Sequence, residues 1–498
     1  MSNRNKFILN GLLLTVVGFA MRGVALFLGA YITSMIGAEG IGLQGLIATV
    51  YSFAVTFATS GVGLSVTRLV ASAVGEGRRD SQEVMRGAFI YAAAFGLGGT
   101  LLMLILSEFI GLSVLSDIRT LRALRILSLS LLPIALSSVI YGYFVAVRRV
   151  TLNALVQVFG QIMRVALTVV LLLKYSSLGV EAAISALAFG TTVTETVCFL
   201  LALFEYMADR RKFRKGCGNA AVGEVARIAM PLALSQYVRS FLLSVEHSII
   251  PRRLTERGNT REEALASYGY LSGMALPIIL FPMTPLSSFS GLLVPEFAEC
   301  EGRADSAKMS RIASESISKA LSYAMMVAVF IFAFSEELGY VIYDTYEAGH
   351  YIGFLAPVIP LMYLDHVTDS MLKGIGEQVY SMWVNILDSF LSVILVYLLI
   401  PIFDISGYAL VIIIMELFNF VLSFVRLNKR VSVRLRAGDF LYSLFSSSLA
   451  VTLALSLFEF SGRGTSWLWL AMKIIFALCV FVSAMLARRF FNNCDKRK

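Results

Sequence analysis

Charge is scarce in this chain. Only 15% of its 498 residues are Asp, Glu, Lys or Arg, against about 25% in soluble domains, and no polar stretch is long enough to make a separate soluble domain. Cysteine and histidine are rarer still, at five and three residues. No CxxC or HxxxH spacing occurs among them, so no structural zinc site is inferred. Cys198 and Cys479 fall inside apolar runs, and Cys217, Cys300 and Cys494 on the side that the charge balance below makes cytoplasmic, so no disulfide is expected. The formal charge is +9, but the basic residues are dispersed between apolar runs. They form no continuous patch of the kind that binds nucleic acid.

Apolar sequence fills the space. Hydrophobic residues make up 57% of the chain and mean hydropathy is +0.77. Apolar runs exceed the roughly 17 to 25 residues a spanning helix needs, and they recur along the whole chain. Spans are predicted at about 8–34, 41–74, 87–106, 122–147, 153–173, 181–204, 225–250, 268–297, 313–334, 350–372, 380–400, 407–427, 440–459 and 467–488. The expected fold is therefore an all-α polytopic membrane protein of about fourteen helices. The first run follows Arg4 and Lys6 as a signal peptide would. It is too long for an h-region and ends at Met35-Ile36-Gly37-Ala38-Glu39 without a small-x-small site, so it reads as an uncleaved span.

An even number of spans puts both termini on one side of the membrane. The loops sharing that side carry Arg78, Arg79, Arg86, Arg148, Arg149, Arg210, Arg211, Lys212, Arg214, Lys215, Arg303, Lys308, Arg311, Lys373, Lys429, Arg430, Arg434 and Arg436. With the termini added, that side holds about 25 Lys and Arg against about 7 on the other, which orients both termini toward the cytoplasm of a bacterial inner membrane. The loop at 251–266 is the exception, with Arg252, Arg253, Arg257 and Arg261 beside Glu256, Glu262 and Glu263.

Two segments repeat. Glu76-Gly77-Arg78-Arg79-Asp80-Ser81, with Arg86 following, matches Glu301-Gly302-Arg303-Ala304-Asp305-Ser306, with Arg311 following. All share one offset (302 − 77 = 225), and each copy follows the second helix of a six-helix block. Arg22 aligns with Arg239 at a slightly shorter offset (239 − 22 = 217). The layout expected is an N-lobe at 1–204, a basic cytoplasmic linker at 205–224, a C-lobe at 225–427, and a last helix pair with a basic tail at 428–498. Two copies of even span number insert in the same orientation, related by an axis along the membrane normal. Facing repeats of this kind form a cavity that rocking exposes to alternate sides. Pro231, Pro277, Pro282, Pro285, Pro295, Pro357 and Pro360 interrupt predicted spans, as is tolerated where neighbours or cavity water satisfy the freed carbonyls.

Three arginines lie mid-span: Arg22, Arg164 and Arg239. A guanidinium stays charged at any relevant pH and must face protein, water or an anion. Among the first six spans Glu195 is the only deep carboxylate. In the next six, Arg239 is accompanied by Glu246, Asp365, Asp369, Asp388 and Glu416. The first half is thus suited to an anion, the second to a coupling cation or proton. Asn385 and Asp388, one turn apart, carry oxygens that could hold Na⁺. Asp365 and Asp369 share a face, but Asp369 is four residues from Lys373 and reads as half of an ion pair.

The run Lys6-Phe7-Ile8-Leu9-Asn10-Gly11-Leu12-Leu13-Leu14, the tetrad Gly40-Ile41-Gly42-Leu43, and Tyr51-Ser52-Phe53-Ala54-Val55-Thr56-Phe57-Ala58-Thr59-Ser60-Gly61 continuing to Thr67-Arg68-Leu69-Val70-Ala71 resemble the stage V sporulation protein B group of polysaccharide flippases. That group belongs to the multidrug/oligosaccharidyl-lipid/polysaccharide superfamily and is related to the lipid II flippases. The resemblance covers essentially the whole chain. It implies movement of a lipid-linked glycan precursor, lipid II-like and carried on undecaprenyl pyrophosphate, from the inner to the outer leaflet, without covalent catalysis and without a bound cofactor. It also implies that cavity arginines meet the pyrophosphate, and Arg22, Arg68 and Arg239 occupy matching kinds of position. Arginine suits this task because its fork of donors meets phosphate oxygens in pairs. The candidate substrate-binding residues are thus Arg22, Arg68, Arg164 and Arg239. The candidates for Na⁺ or H⁺ coupling are Asn385, Asp388, Glu195, Asp365 and Glu416, with the membrane potential as an alternative driving force. The partners expected are the lipid-linked substrate and the bilayer; the sequence does not specify an oligomeric state. Two other readings are a multidrug or cation exporter of the same superfamily and a membrane-embedded glycosyltransferase. The second would need metal-ligand spacing among the outer acids Glu336, Glu337, Asp344 and Glu347, which is absent.

Overall fold

Long apolar runs with few helix breakers have one solution in a bilayer, because every backbone N–H and C=O must be satisfied within its own segment. A computed structural model of the protein, which describes residues 3–76, 81–147, 149–210, 221–256, 258–433, 437–459 and 466–495, is accordingly built from helices, with no strand among the described residues. In chain order these are α1 (Asn3–Thr59), α2 (Val62–Glu76), α3 (Ser81–Phe109), α4 (Thr120–Ser128), α5 (Leu131–Ala146), α6 (Val150–Tyr175), α7 (Val180–Arg210), α8 (Val222–Glu256), α9 (Arg261–Tyr268) and α10 (Leu276–Leu280). They continue with α11 (Met283–Gly302), α12 (Ser306–Ala333), α13 (Ser335–Tyr343), α14 (Tyr346–Leu355), α15 (Ile359–Gly374), α16 (Gln378–Phe403), α17 (Ile405–Arg430), α18 (Ala437–Glu459) and α19 (Trp467–Asp495). Of the basic loop residues named above, Arg78, Arg79, Arg148, Arg211, Lys212, Arg214, Lys215, Arg257, Arg434 and Arg436 lie outside the described residues, as does Cys217.

Among the described residues ten helices are long and apolar enough to cross a membrane, or up to thirteen if each bent pair is one span. The expected fourteen exceeds this range, and the difference lies in α1. The described apolar stretch that runs through α1 into α2, Gly18–Ala71, is 54 residues long, which at 1.5 Å per residue is about 80 Å, far more than the ~30 Å hydrocarbon core. It is broken at Gly37, whose φ of 71° is helix-incompatible for most residues. A second break follows at Ser60 and Gly61, both at positive φ. The outward faces are apolar, with Ile105, Leu178 and Phe204 at least 70% exposed; such side chains belong in lipid.

Proline chemistry explains the most irregular span. Between α9 and α10 a π-helical stretch runs over Gly269–Ala275, and α11 departs at 58° from the preceding segment. Pro282 and Pro285 have no N–H, so the ladder fails there and Thr284 bonds back to Phe281 rather than to Leu280. Pro231 lies at a 45° bend in α8, and Pro357 in a 3₁₀ turn between α14 and α15.

Packing divides the chain into two compact units. The first comprises Met1–Ser34 and Ser267–Lys498; the second is Met35–Ala266. This division differs from the 1–204 and 225–427 lobes expected from the repeat, since the first predicted span groups with the second half and the seventh with the first half. In the second unit the reason is plain. Along α8, Tyr237 donates to Ser60 at 2.6 Å, Ser244 donates to the Thr49 carbonyl at 3.2 Å, and Phe241 meets Phe53 edge-on. At Gly61 a Cβ would stand 2.9 Å from the Ala229 carbonyl, so only glycine allows α8 so close. Farther along, Arg119 binds Glu39 at 2.6 Å and Asp117 at 2.8 Å, and Arg261 donates to the Leu115 carbonyl. Burial alone would raise the loop carboxylate Asp117, but its bonds to Arg119 hold it below the usual range.

Candidate functional site

In the first unit Arg22 stands where the broken span needs a donor. The carbonyls of Ile279, Leu280 and Pro282 flank the α10–α11 break. They accept from Tyr363 at 2.9 Å, from Arg22 at 3.4 Å and from Tyr323 at 2.6 Å. Arg22 also donates to Thr284 Oγ1 at 3.1 Å, and Phe19, one turn earlier, packs on Phe281. Both bonds use Nη1 and neither partner is a carboxylate. The side chain is therefore oriented without being neutralised, and its other N–H groups stay open to an anion.

The same unit carries the acidic candidates on three neighbouring helices: Asp365 on α15, Asp388 on α16 and Glu416 on α17. Their charges act on one another. Asn385 donates to the Ser381 carbonyl at 2.7 Å, so its amide nitrogen is engaged. Oxygens of Asp365, Thr368, Ser381 and Asn419 are buried without a hydrogen-bond partner among the described residues. Asp369 pairs with Lys373 at 2.6 Å, and its charge also acts on Asp365.

In the second unit the arginines divide. Arg239 on α8 and Arg68 on α2 are exposed, with no ion pair or hydrogen bond among the described residues. Arg164 on α6 instead binds Glu195 on α7 at 2.6 Å, so two of the named candidates meet each other and offset each other's charge. Replacing Glu195 with Gln is expected to destabilise the protein by about 1–3 kcal/mol by leaving the guanidinium uncompensated, and Arg164→Gln by a similar amount by leaving the carboxylate uncompensated. The double variant should recover part of the loss, with a coupling of about 1 kcal/mol or more. Thermal unfolding in detergent checks this; strict additivity would show the pair to be incidental.

Sequence reasoning missed the hydroxyl chain joining Tyr237, Ser60 and Tyr91, at 2.6 and 2.8 Å. The adjacent Ser60-Gly61 pair in mid-span was the available signal. It also missed a groove between α1 and α8, lined by residues of both helices.

Long apolar helices, broken spans and mid-span arginines without carboxylate partners define a multi-pass membrane protein with a transporter fold. The chain belongs to the polysaccharide biosynthesis protein family, whose model matches residues 7–301; a MatE model matches residues 258–398. It is 23% identical over 424 residues to stage V sporulation protein B of Bacillus subtilis (strain 168), covering 82% of this chain and 81% of that one. Its fold is similar to that of the lipid II flippase MurJ in an inward closed conformation, with a TM-score of 0.74 at 14% identity over 96% of this chain and 100% of that chain. It is also similar to an inward-facing multidrug resistance MATE family transporter, with a TM-score of 0.59 at 17% identity over 87% and 98% of the two chains.

Proposed function

We propose that this protein moves a lipid-linked glycan precursor, lipid II-like in its pyrophosphate headgroup, from the inner to the outer leaflet of the bacterial cytoplasmic membrane by alternating access, with both termini cytoplasmic. The observation that carries the reading is the state of Arg22 and Arg239. Both are mid-span cations without carboxylate partners among the described residues, and an anionic headgroup is what such side chains can accept. Arg68, nearer the cytoplasmic end of its span by residue count, would receive the headgroup first. Arg164 contributes less, because Glu195 already offsets its charge. Binding, reorienting and releasing an intact lipid breaks no covalent bond, so the role is that of a transporter. Depleting the protein and identifying the lipid that accumulates tests this. An undecaprenyl-pyrophosphate-linked glycan retained in the inner leaflet is expected, and unchanged lipid intermediates would refute it.

The acidic cluster favours coupling. Three carboxylates on adjacent helices repel, and a bound cation or proton relieves the repulsion. Moving a polyanionic headgroup outward across an inside-negative membrane is favourable by about 2.3 kcal/mol per charge per 100 mV for the full field, so the potential drives the loaded step and a cation near Asn385 and Asp388 helps reset the empty carrier. Varying potential, pH and Na⁺ gradients independently in proteoliposomes should show dependence on potential plus one cation, with Asp388→Asn removing the second. Transport indifferent to every gradient would leave passive equilibration. The same cluster and the MatE match also suit export of cationic compounds; uptake of drug-like cations by proteoliposomes, with no glycolipid transfer, would favour that reading.

A further inference from the structure

The second unit contains a groove of about 290 Å3 between the latter half of α1 and α8, lined by Ala48, Thr49, Ser52, Ser240, Leu243 and His247. Hydroxyls on spanning helices usually bond back to their own carbonyls four residues earlier. On these two helices Thr49, Thr56, Thr59, Ser244 and Ser248 do so, at 2.6–2.9 Å. Ser52 and Ser240 do not, and neither hydroxyl has a hydrogen-bond partner among the described residues. They face each other across one groove. The remaining lining is apolar at Ala48 and Leu243 and imidazole at His247, with no carboxylate and no guanidinium.

That combination is poorly suited to an anion or a metal. It suits a neutral ring carrying hydroxyls on its edge and C–H groups on its face. The volume is at the small end for a ligand pocket, which fits a single sugar better than a whole oligosaccharide. Position supplies the rest. Ser240, Leu243 and His247 follow the i, i+3, i+7 pattern of one helix face. Arg239 precedes Ser240 by one residue and Leu243 by four, so it borders that face. In a lipid-linked glycan the first sugar is bonded directly to the pyrophosphate, so an anion held at Arg239 delivers that sugar to the groove.

We infer that the Thr49–Ser52–Ser240–His247 groove is the subsite for the sugar adjoining the pyrophosphate, and that it distinguishes glycan-bearing carrier lipid from the bare carrier. The inference rests on the proposed function and adds a specificity element that Arg22 and Arg239 cannot provide, since both carriers present the same anion.

The test uses the full chain in nanodiscs, titrated with polyprenyl pyrophosphate and with the same lipid bearing one N-acetylhexosamine. Wild type should bind the sugar-bearing lipid about tenfold or more tighter. Filling the groove with Ser52→Leu and Ser240→Leu should erase that difference while leaving affinity for the bare pyrophosphate unchanged. Should the leucines prevent folding, Ser52→Ala and Ser240→Ala, which change only hydroxyls, should lose at least half of the discrimination in log units. Arg239→Ala should weaken both lipids. The subsite is overturned if wild type does not prefer the sugar, if the groove variants keep the preference, or if they weaken both lipids equally. If wild type binds neither lipid, the flippase reading itself fails, which is a separate result.

Discussion

Replacing Arg22 or Arg239 with alanine is expected to lower glycolipid transfer at least 100-fold while leaving the protein inserted and folded. Neither arginine bonds a carboxylate, so removal orphans no buried acid. On the proposed function, what is lost is a pair of charge-assisted contacts with the headgroup, each contributing roughly 1.5–3 kcal/mol, so about 3 kcal/mol or more together, which is about 100-fold or more. Lysine should rescue partly at each site, since it keeps the charge and loses the fork. At position 22 rescue should be the poorer, because one donor must also serve the Leu280 carbonyl and Thr284. Transfer rates of purified variants in liposomes measure this, with melting temperature as the control. Normal transfer by the double alanine variant would mean that neither residue binds the headgroup.

The largest expected effect on stability lies at Gly42. A Cβ there would collide with the backbone carbonyl of Leu265. Leu265 is itself fully buried and lies on α9, just beyond Arg261, whose side chain donates to the Leu115 carbonyl. Backbone cannot rotate away as a side-chain tip can, so Gly42→Val should cost about 3 kcal/mol or more, at the upper end of overpacking penalties. Gly98→Ala is the control: it adds a methyl where nothing lies within 4 Å and should be neutral or stabilising by up to about 1 kcal/mol through helix propensity. Equal melting temperatures for the two variants would mean that α1 and α9 do not approach so closely.

Features that depend on near neighbours in the chain are legible in the sequence alone. Hydropathy locates the apolar runs, the prolines mark the break at 282–285, and the Asp369–Lys373 pair follows from a spacing of four on one helix. Arg164–Glu195 is not legible as a pair. The sequence shows one deep carboxylate among three arginines, but the partners are 31 residues apart on different helices, and only the packing of α6 on α7 selects between the arginines. The partition of α8 into the second unit is hidden for the same reason. It depends on Gly61 admitting the Ala229 carbonyl and on Tyr237 reaching Ser60, contacts about 170 residues apart in a chain whose repeat suggests another grouping. Arg22 is recognisable as a mid-span cation, while its carbonyl partner follows from where the α10–α11 ladder fails.

Transfer can be followed by reconstituting the purified protein in liposomes with a fluorescent polyprenyl-pyrophosphate-linked sugar in the inner leaflet and measuring its exposure to a membrane-impermeant quencher. Protein-dependent transfer is expected, accelerated by an inside-negative potential and abolished in the Arg22→Ala, Arg239→Ala protein. Transfer no faster than in protein-free liposomes, with the protein shown to be folded, would contradict it.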